Sequence, residues 1–198
     1  MTFNAGRSRI SISFFFFVTV CIALVLDTTN TAVLTLCAAA VHECGHLICM
    51  LAFGECPSKI YIAPFGFCIT RFSDSSYRRE MLIAFCGPLA NLFAALVMLL
   101  AMLFCHARGL IKPIAVNIAL ALFNLLPIEP LDCGRAVRCF LMYKFNCVRA
   151  EKTAFIIGII FLIPLSALGF YVLIKSKYNI TLLLASIYLA FMLLKRRE

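Results

Sequence analysis

The sequence predicts an all-α polytopic membrane protein with about six transmembrane helices and a small re-entrant β-hairpin or loop between the second and third. Three observations carry that prediction. Of 198 residues, 64% are hydrophobic and 14% charged, with a mean hydropathy of +1.02. Soluble domains average roughly 45–50% apolar and about 25% charged, and one of this size has no interior that could hold the excess. The apolar residues gather into six segments, of which residues 31–53 would reach about 34 Å as a helix, enough to cross a bilayer. Lys and Arg are also distributed unequally between alternate loops. With the N-terminus inside, external segments hold only Arg108, Lys112, Lys175 and Lys177, so 14 of the 18 basic residues (18 less 4) fall inside. Cytoplasmic loops accumulate Lys and Arg, which places both termini in the cytoplasm. The net charge of +9 therefore reads as topology and not as nucleic-acid binding.

The first segment, residues 10–26, follows Arg7 and Arg9 and resembles a signal peptide. It is long and lacks a small-residue cleavage site, so it reads as an uncleaved span. The second, residues 31–53, then runs inward. Next comes "CPSKIYIAPFGFCITRFSDSS", too broken to cross as a helix. Ile60, Tyr61 and Ile62 favour a strand, and Pro64 and Gly66 favour a turn. The third segment is residues 81–105. The fourth, residues 113–126, is short, and Pro127 and Pro130 stop it early, as for a helix that ends inside the membrane sheltered by neighbours. Residues 153–174 and 180–194 complete the set. No repeat or linker divides the chain, so residues 1–198 read as one integral-membrane domain. The eleven cysteines lie mostly within apolar runs and show no CxxC spacing, which excludes a disulfide framework and a cysteine zinc site.

Chemistry concentrates in "AAAVHECGHLICMLAFG". On a helix, His42 and His46 project from one face, the spacing that holds one Zn²⁺ through two nitrogens. Glu43 sits one position round, placed to act on water as acid and base and not to bind the metal. Three ionisable groups in one turn of a span would each cost roughly 2.5–3.5 kcal/mol if unpaired, and a metal offsets that cost. Buried, hydrogen-bonded histidines are the plainer alternative. A catalytic zinc site wants a third protein ligand. His106 falls at the outer end of the third segment, Asp27 in the external turn and Asp74 in a polar loop. Asp132 follows the interrupted stretch "NIALALFNLLPIEPLDCGR" and is the expected third ligand. Glu129 is its rival, and a helix N-cap is the alternative role for Asp132. The basic run Arg135, Arg138, Lys144, Arg149 and Lys152 sits on the cytoplasmic side, in a topological role or against anionic headgroups or an acidic substrate segment.

At these residues the sequence resembles the site-2 protease family of intramembrane zinc metalloproteases, and within it the stage IV sporulation protein FB branch. "HECGH" is similar to the family's first metal motif, which implies His42 and His46 as ligands and Glu43 as catalytic residue. "NLLPIEPLDCGR" resembles the second, implying Asp132 as third ligand and Asn124 near the substrate. "FCGPLANL" resembles the element that sets Gly87, Pro88 and Asn91 beside the site, implying Asn91 as a substrate-binding residue or a polar contact between helices. "APFGF" resembles a re-entrant turn, with Pro64, Phe65 and Gly66 facing substrate. Cys133 stands where the family has glycine, and the branch's nucleotide-sensing CBS domain does not follow "KRRE".

The resemblance implies a zinc-dependent endopeptidase with one Zn²⁺ ion. It would cleave a membrane-tethered or membrane-associated protein, such as a transcription-factor precursor or an anti-sigma factor, in a bacterial cell membrane. It leaves room for a regulatory membrane partner or a homo-oligomer. Iron or cobalt could fill the same ligand set in vitro. The other readings are a divalent-metal transporter and a catalytically inactive membrane chaperone. A transporter has no need of Glu43 and usually carries inverted repeats, which are not visible. An intact Glu43 argues against an inactive chaperone.

Overall fold

The computed structural model describes residues 2–5, 8–55, 57–63, 66–71, 76–105, 108–176 and 180–195. Strands β1 (Thr2–Ala5) and β2 (Ser8–Ile12) precede helices α1 (Phe14–Leu26) and α2 (Thr31–Ala52). Then follow β3 (Pro57–Ala63), β4 (Gly66–Arg71), α3 (Tyr77–Cys105) and α4 (Ile111–Asn124). Helices α5 (Asp132–Lys144), α6 (Cys147–Ser176) and α7 (Thr181–Lys195) end the chain.

Among the described residues, α2, α3 and α6 are long and apolar enough to cross a membrane, and α1, α4 and α7 are shorter apolar helices. Large apolar side chains stay exposed along them: Phe93 is 68% exposed, Ile163 63% and Phe191 61%. Water would penalise that surface at roughly 25 cal/mol per Å², whereas lipid tails would not. The chain is a membrane protein.

Residues Met1–Ser76 with Cys86–Ala121 form one compact unit, and Tyr77–Phe85 with Leu122–Glu198 form a second. In the first unit the four strands make one sheet in the order β1-β2-β3-β4. β1 and β2 are antiparallel, β2 and β3 parallel, and β3 and β4 antiparallel with Ile60 opposite Ile69. The first apolar segment therefore divides. Arg9 to Ser13 alternates polar residues with β-branched Ile10 and Ile12, a period of two that suits β2 better than a helix. Helical geometry begins only after Ser13, whose ψ of 139° is extended. The sheet is thus larger than a two-stranded hairpin, and the turn residues Pro64 and Phe65 lie outside the described residues.

In the same unit, α2 and α3 approach closely through Gly45. A Cβ there would stand 2.6 Å from the Cys86 carbonyl oxygen and 2.7 Å from Ala90 Cβ. Asn91 is fully buried and donates to the Ala38 carbonyl (3.1 Å) and to Asn117 Oδ1 (3.2 Å). Asn117 donates in turn to the Pro113 carbonyl at 2.9 Å. In an apolar surrounding such bonds tie α2, α3 and α4 together, since each polar group has few alternative partners.

In the second unit, α6 and α7 pack through glycines. A Cβ at Gly158 would meet Leu193 at 3.2 Å, and one at Gly169 would meet the Leu183 backbone at 3.1 Å. The pairing of 158 with 193 and 169 with 183 makes the two helices antiparallel. Helix α5 is amphipathic, burying Ala136, Cys139 and Leu141. Cys139 donates its thiol hydrogen to Glu80 (3.2 Å), and burial, then that bond, pushes the thiol up to about 12.

Candidate metal centre

The first unit supplies a pair of imidazoles. His42 and His46, four residues apart on α2, are 5% and 7% exposed. Their Nε2 atoms lie 3.2 Å apart, with ring planes at 81°. Two nitrogens each about 2.0–2.1 Å from one tetrahedral Zn²⁺ would be separated by about 3.3 Å. The pair already stands at the edge length of such a tetrahedron.

Gly87 on α3 keeps that edge clear. A Cβ at Gly87 would lie 2.3 Å from His46 Nε2 and 2.8 Å from His42 Nε2. Any side chain at 87 would fill the space in front of both donors. The neighbouring Pro88 is fully buried.

In the second unit the expected third ligand is Asp132. Helix α4 ends at Asn124, and the backbone then turns tightly. Ile128 N–H donates to the Leu126 carbonyl and Leu131 N–H to the Ile128 carbonyl, each at 2.8 Å. This loop lies against the first turn of α5: a Cβ at Gly134 would come within 2.4 Å of the Ile128 carbonyl carbon. Asp132 is 9% exposed and is the first residue of α5. Leu131 occupies the N-cap position with no side-chain cap bond, so Asp132 is not the cap. Its charge still gains from the helix N-terminus. Cys133 is helical and has no positive φ, a backbone state found among the described residues only at Asn30 and Gly54. A side chain is therefore accommodated at 133, and the close approach that demands glycine falls at 134. Burial, then the Asp132 charge, raises the Cys133 thiol above its ordinary value and keeps it protonated.

His42 and His46 in the first unit and Asp132 in the second are each buried. The imidazole pair, with a space before it that a single Cβ would fill, fits a divalent cation such as Zn²⁺, and a carboxylate is a usual third donor. Glu43 is half-buried beside His42, and Asn124 is half-buried at the end of α4. Glu129 Oε1 lies 3.9 Å from Arg138 Nη1. Asn91 serves the buried network described above. Gly66 opens β4 opposite Ala63. Pro64, Phe65, Asp74 and His106 lie outside the described residues. Asp27 accepts hydrogen bonds from the Thr29 and Ala32 N–H groups at the start of α2.

The sequence reading passed over Gly45, Gly134 and Asn117. Each carried a signal: a glycine inside a helical pattern marks close packing, and a lone amide in an apolar helix needs a partner.

No family model matches the chain, and no curated protein matches it. Among solved structures, the chain is similar to the site-2 protease from Methanocaldococcus jannaschii, with a TM-score of 0.66 and 22% identity over 98% of this chain and 94% of that one. At that identity the likeness shows a shared fold.

Proposed function

We propose that this chain is an intramembrane metalloendopeptidase of the site-2 protease type. The observation that carries the reading is the buried pair His42 and His46, its nitrogens at the edge length of a zinc tetrahedron, with Glu43 adjacent in sequence to the first histidine. The shared fold with a site-2 protease supports it. His42, His46 and Asp132 would hold one Zn²⁺, which when bound polarises the scissile carbonyl and lowers the pKa of water to about 7.

The chain's own groups do the rest. Glu43 takes the proton of the attacking water and delivers it to the leaving nitrogen. Asn124 orients the substrate or donates to the developing oxyanion. Asn91 contributes by holding α2 against α3. The edge of β4 pairs with an unwound substrate segment, exposing a peptide bond that a helix would hide, and Pro64, Phe65 and Gly66 are the proposed substrate contacts. The substrate is a membrane-tethered or membrane-associated protein, such as a transcription-factor precursor or an anti-sigma factor. The chain crosses a bacterial cell membrane several times, with both termini cytoplasmic. Its motifs favour the sporulation branch, with a membrane partner or a second copy gating access.

The test is wild type against Glu43→Gln, purified in detergent and co-expressed with a candidate membrane substrate. The mutant should keep its zinc and lose cleavage. Equal cleavage by both proteins would remove Glu43 as the base, and zinc flux into liposomes that survives the mutation would favour a transporter.

A further inference from the structure

The second unit contains a cavity of about 620 Å³ that the peptidase reading does not use. Its volume is that of a small-molecule site, roughly 300–1,000 Å³. Its polar wall is Glu129, Arg138, Glu151 and Lys152, two cations and two anions. Its apolar wall includes Phe155, Ile156 and Leu193. Ile156, on the candidate span α6, is 56% exposed, so the apolar wall continues onto lipid-facing surface.

Arg138 is loosely held. Its Nη1 stands 3.9 Å from Glu129 and its Nη2 3.5 Å from Glu151. Well-formed charge-assisted bonds measure about 2.7–2.9 Å. Its Nε is buried and has no hydrogen-bond acceptor among the described residues. A buried donor left unfilled is unfavourable, and a phosphate oxygen is the acceptor that a guanidinium fork suits best. A bare anion would fill the donor yet face both carboxylates. A ligand that carries its own cation beside its phosphate matches all four side chains.

We propose that this cavity binds a zwitterionic phospholipid of the phosphatidylethanolamine class. The phosphate meets Arg138 and Lys152, the ammonium meets Glu129 and Glu151, and the upper acyl chain lies along Phe155 and Ile156. A choline headgroup offers the carboxylates no N–H donor, and a glycerol headgroup offers them no cation. The ethanolamine lipid is therefore selected over both.

The full chain in detergent is mixed with equimolar phosphatidylethanolamine, phosphatidylcholine and phosphatidylglycerol, and retained lipid is read by native mass spectrometry. The ethanolamine lipid should be retained about tenfold over either competitor, the difference expected for one charge-assisted bond. Arg138→Gln should lower retention of all three lipids about tenfold, since each carries the phosphate, and Lys144→Gln, an exposed cation outside the cavity, should leave retention as in wild type. Glu151→Gln should shift retention towards phosphatidylglycerol. Soluble glycerophosphoethanolamine at the same concentration should not displace the lipid, since it leaves the apolar wall bare. Equal retention of the three lipids, displacement by the soluble headgroup, or unchanged lipid retention in Arg138→Gln would each overturn the proposal. If Arg138→Gln does not fold, the wild-type headgroup order decides alone. Lipid retention is independent of peptide cleavage: Glu43→Gln should bind the lipid as wild type does.

Discussion

Replacing Gly87 with alanine adds one methyl group in front of the imidazole pair. The new Cβ would sit 2.3 Å from His46 Nε2, 2.6 Å from His46 Cε1 and 2.8 Å from His42 Nε2. Ordinary contacts begin at 3.4 Å, so His46 must retreat by roughly 1 Å and His42 by about half that. The 3.2 Å separation of the two nitrogens cannot survive such a shift. Loss of a group that merely orients a ligand already lowers metal affinity about 10–100-fold, and displacing the ligands themselves should cost at least the upper figure. A misplacement of about 1 Å also costs roughly 100-fold in rate. The helix itself gains, because Ala outranks Gly by about 1 kcal/mol in helix propensity. The variant should therefore fold while holding metal poorly. The assay is metal content by mass spectrometry after dialysis against graded chelator, with circular dichroism as the folding check. Gly109→Ala, at a position with nothing within 4 Å, is the control and should match wild type. A Gly87→Ala protein that keeps stoichiometric metal at wild-type chelator concentrations would refute the geometry.

Two further outcomes follow from polar groups away from the donors. Asn91→Leu removes the bonds to Ala38 and Asn117 and leaves buried acceptors unfilled, so thermal unfolding in detergent should show a loss of about 1–3 kcal/mol. The Asp27 carboxyl is held down from 3.8 to about 2 by the Ala32 N–H first, then by the Thr29 hydroxyl and N–H. Because the folded value is lowered, its stabilisation is complete above about pH 4 and is lost as pH falls through about 2. Asp27→Asn should flatten the stability profile across that window and leave it parallel to wild type above pH 5.

Much of the candidate site is proposed from residue types alone. His42, Glu43 and His46 stood out because three ionisable groups in one turn of an apolar run are costly without a shared partner. Asp132 stood out because Pro127 and Pro130 interrupt the helix before it. The start of the first helix was less legible. A hydropathy window treats Ile10 and Ile12 as span residues, while strand pairing responds to their alternation with serine. The space before the imidazoles was also hidden, since nothing in "FCGPLANL" says which atoms face Gly87. The basic run after Asp132 showed its sign and not its partners. Arg138 proves to be shared between two carboxylates, one of them on the loop before Asp132.

X-ray absorption at the zinc edge of the purified, metal-loaded protein tests the central claim most directly. The account predicts a shell of nitrogen and oxygen at about 2.0–2.2 Å with the outer-shell signature of two imidazoles, and a loss of one oxygen scatterer in Asp132→Ala. Sulfur at about 2.3 Å, from any of the eleven cysteines, or a spectrum unchanged in Asp132→Ala, would contradict it.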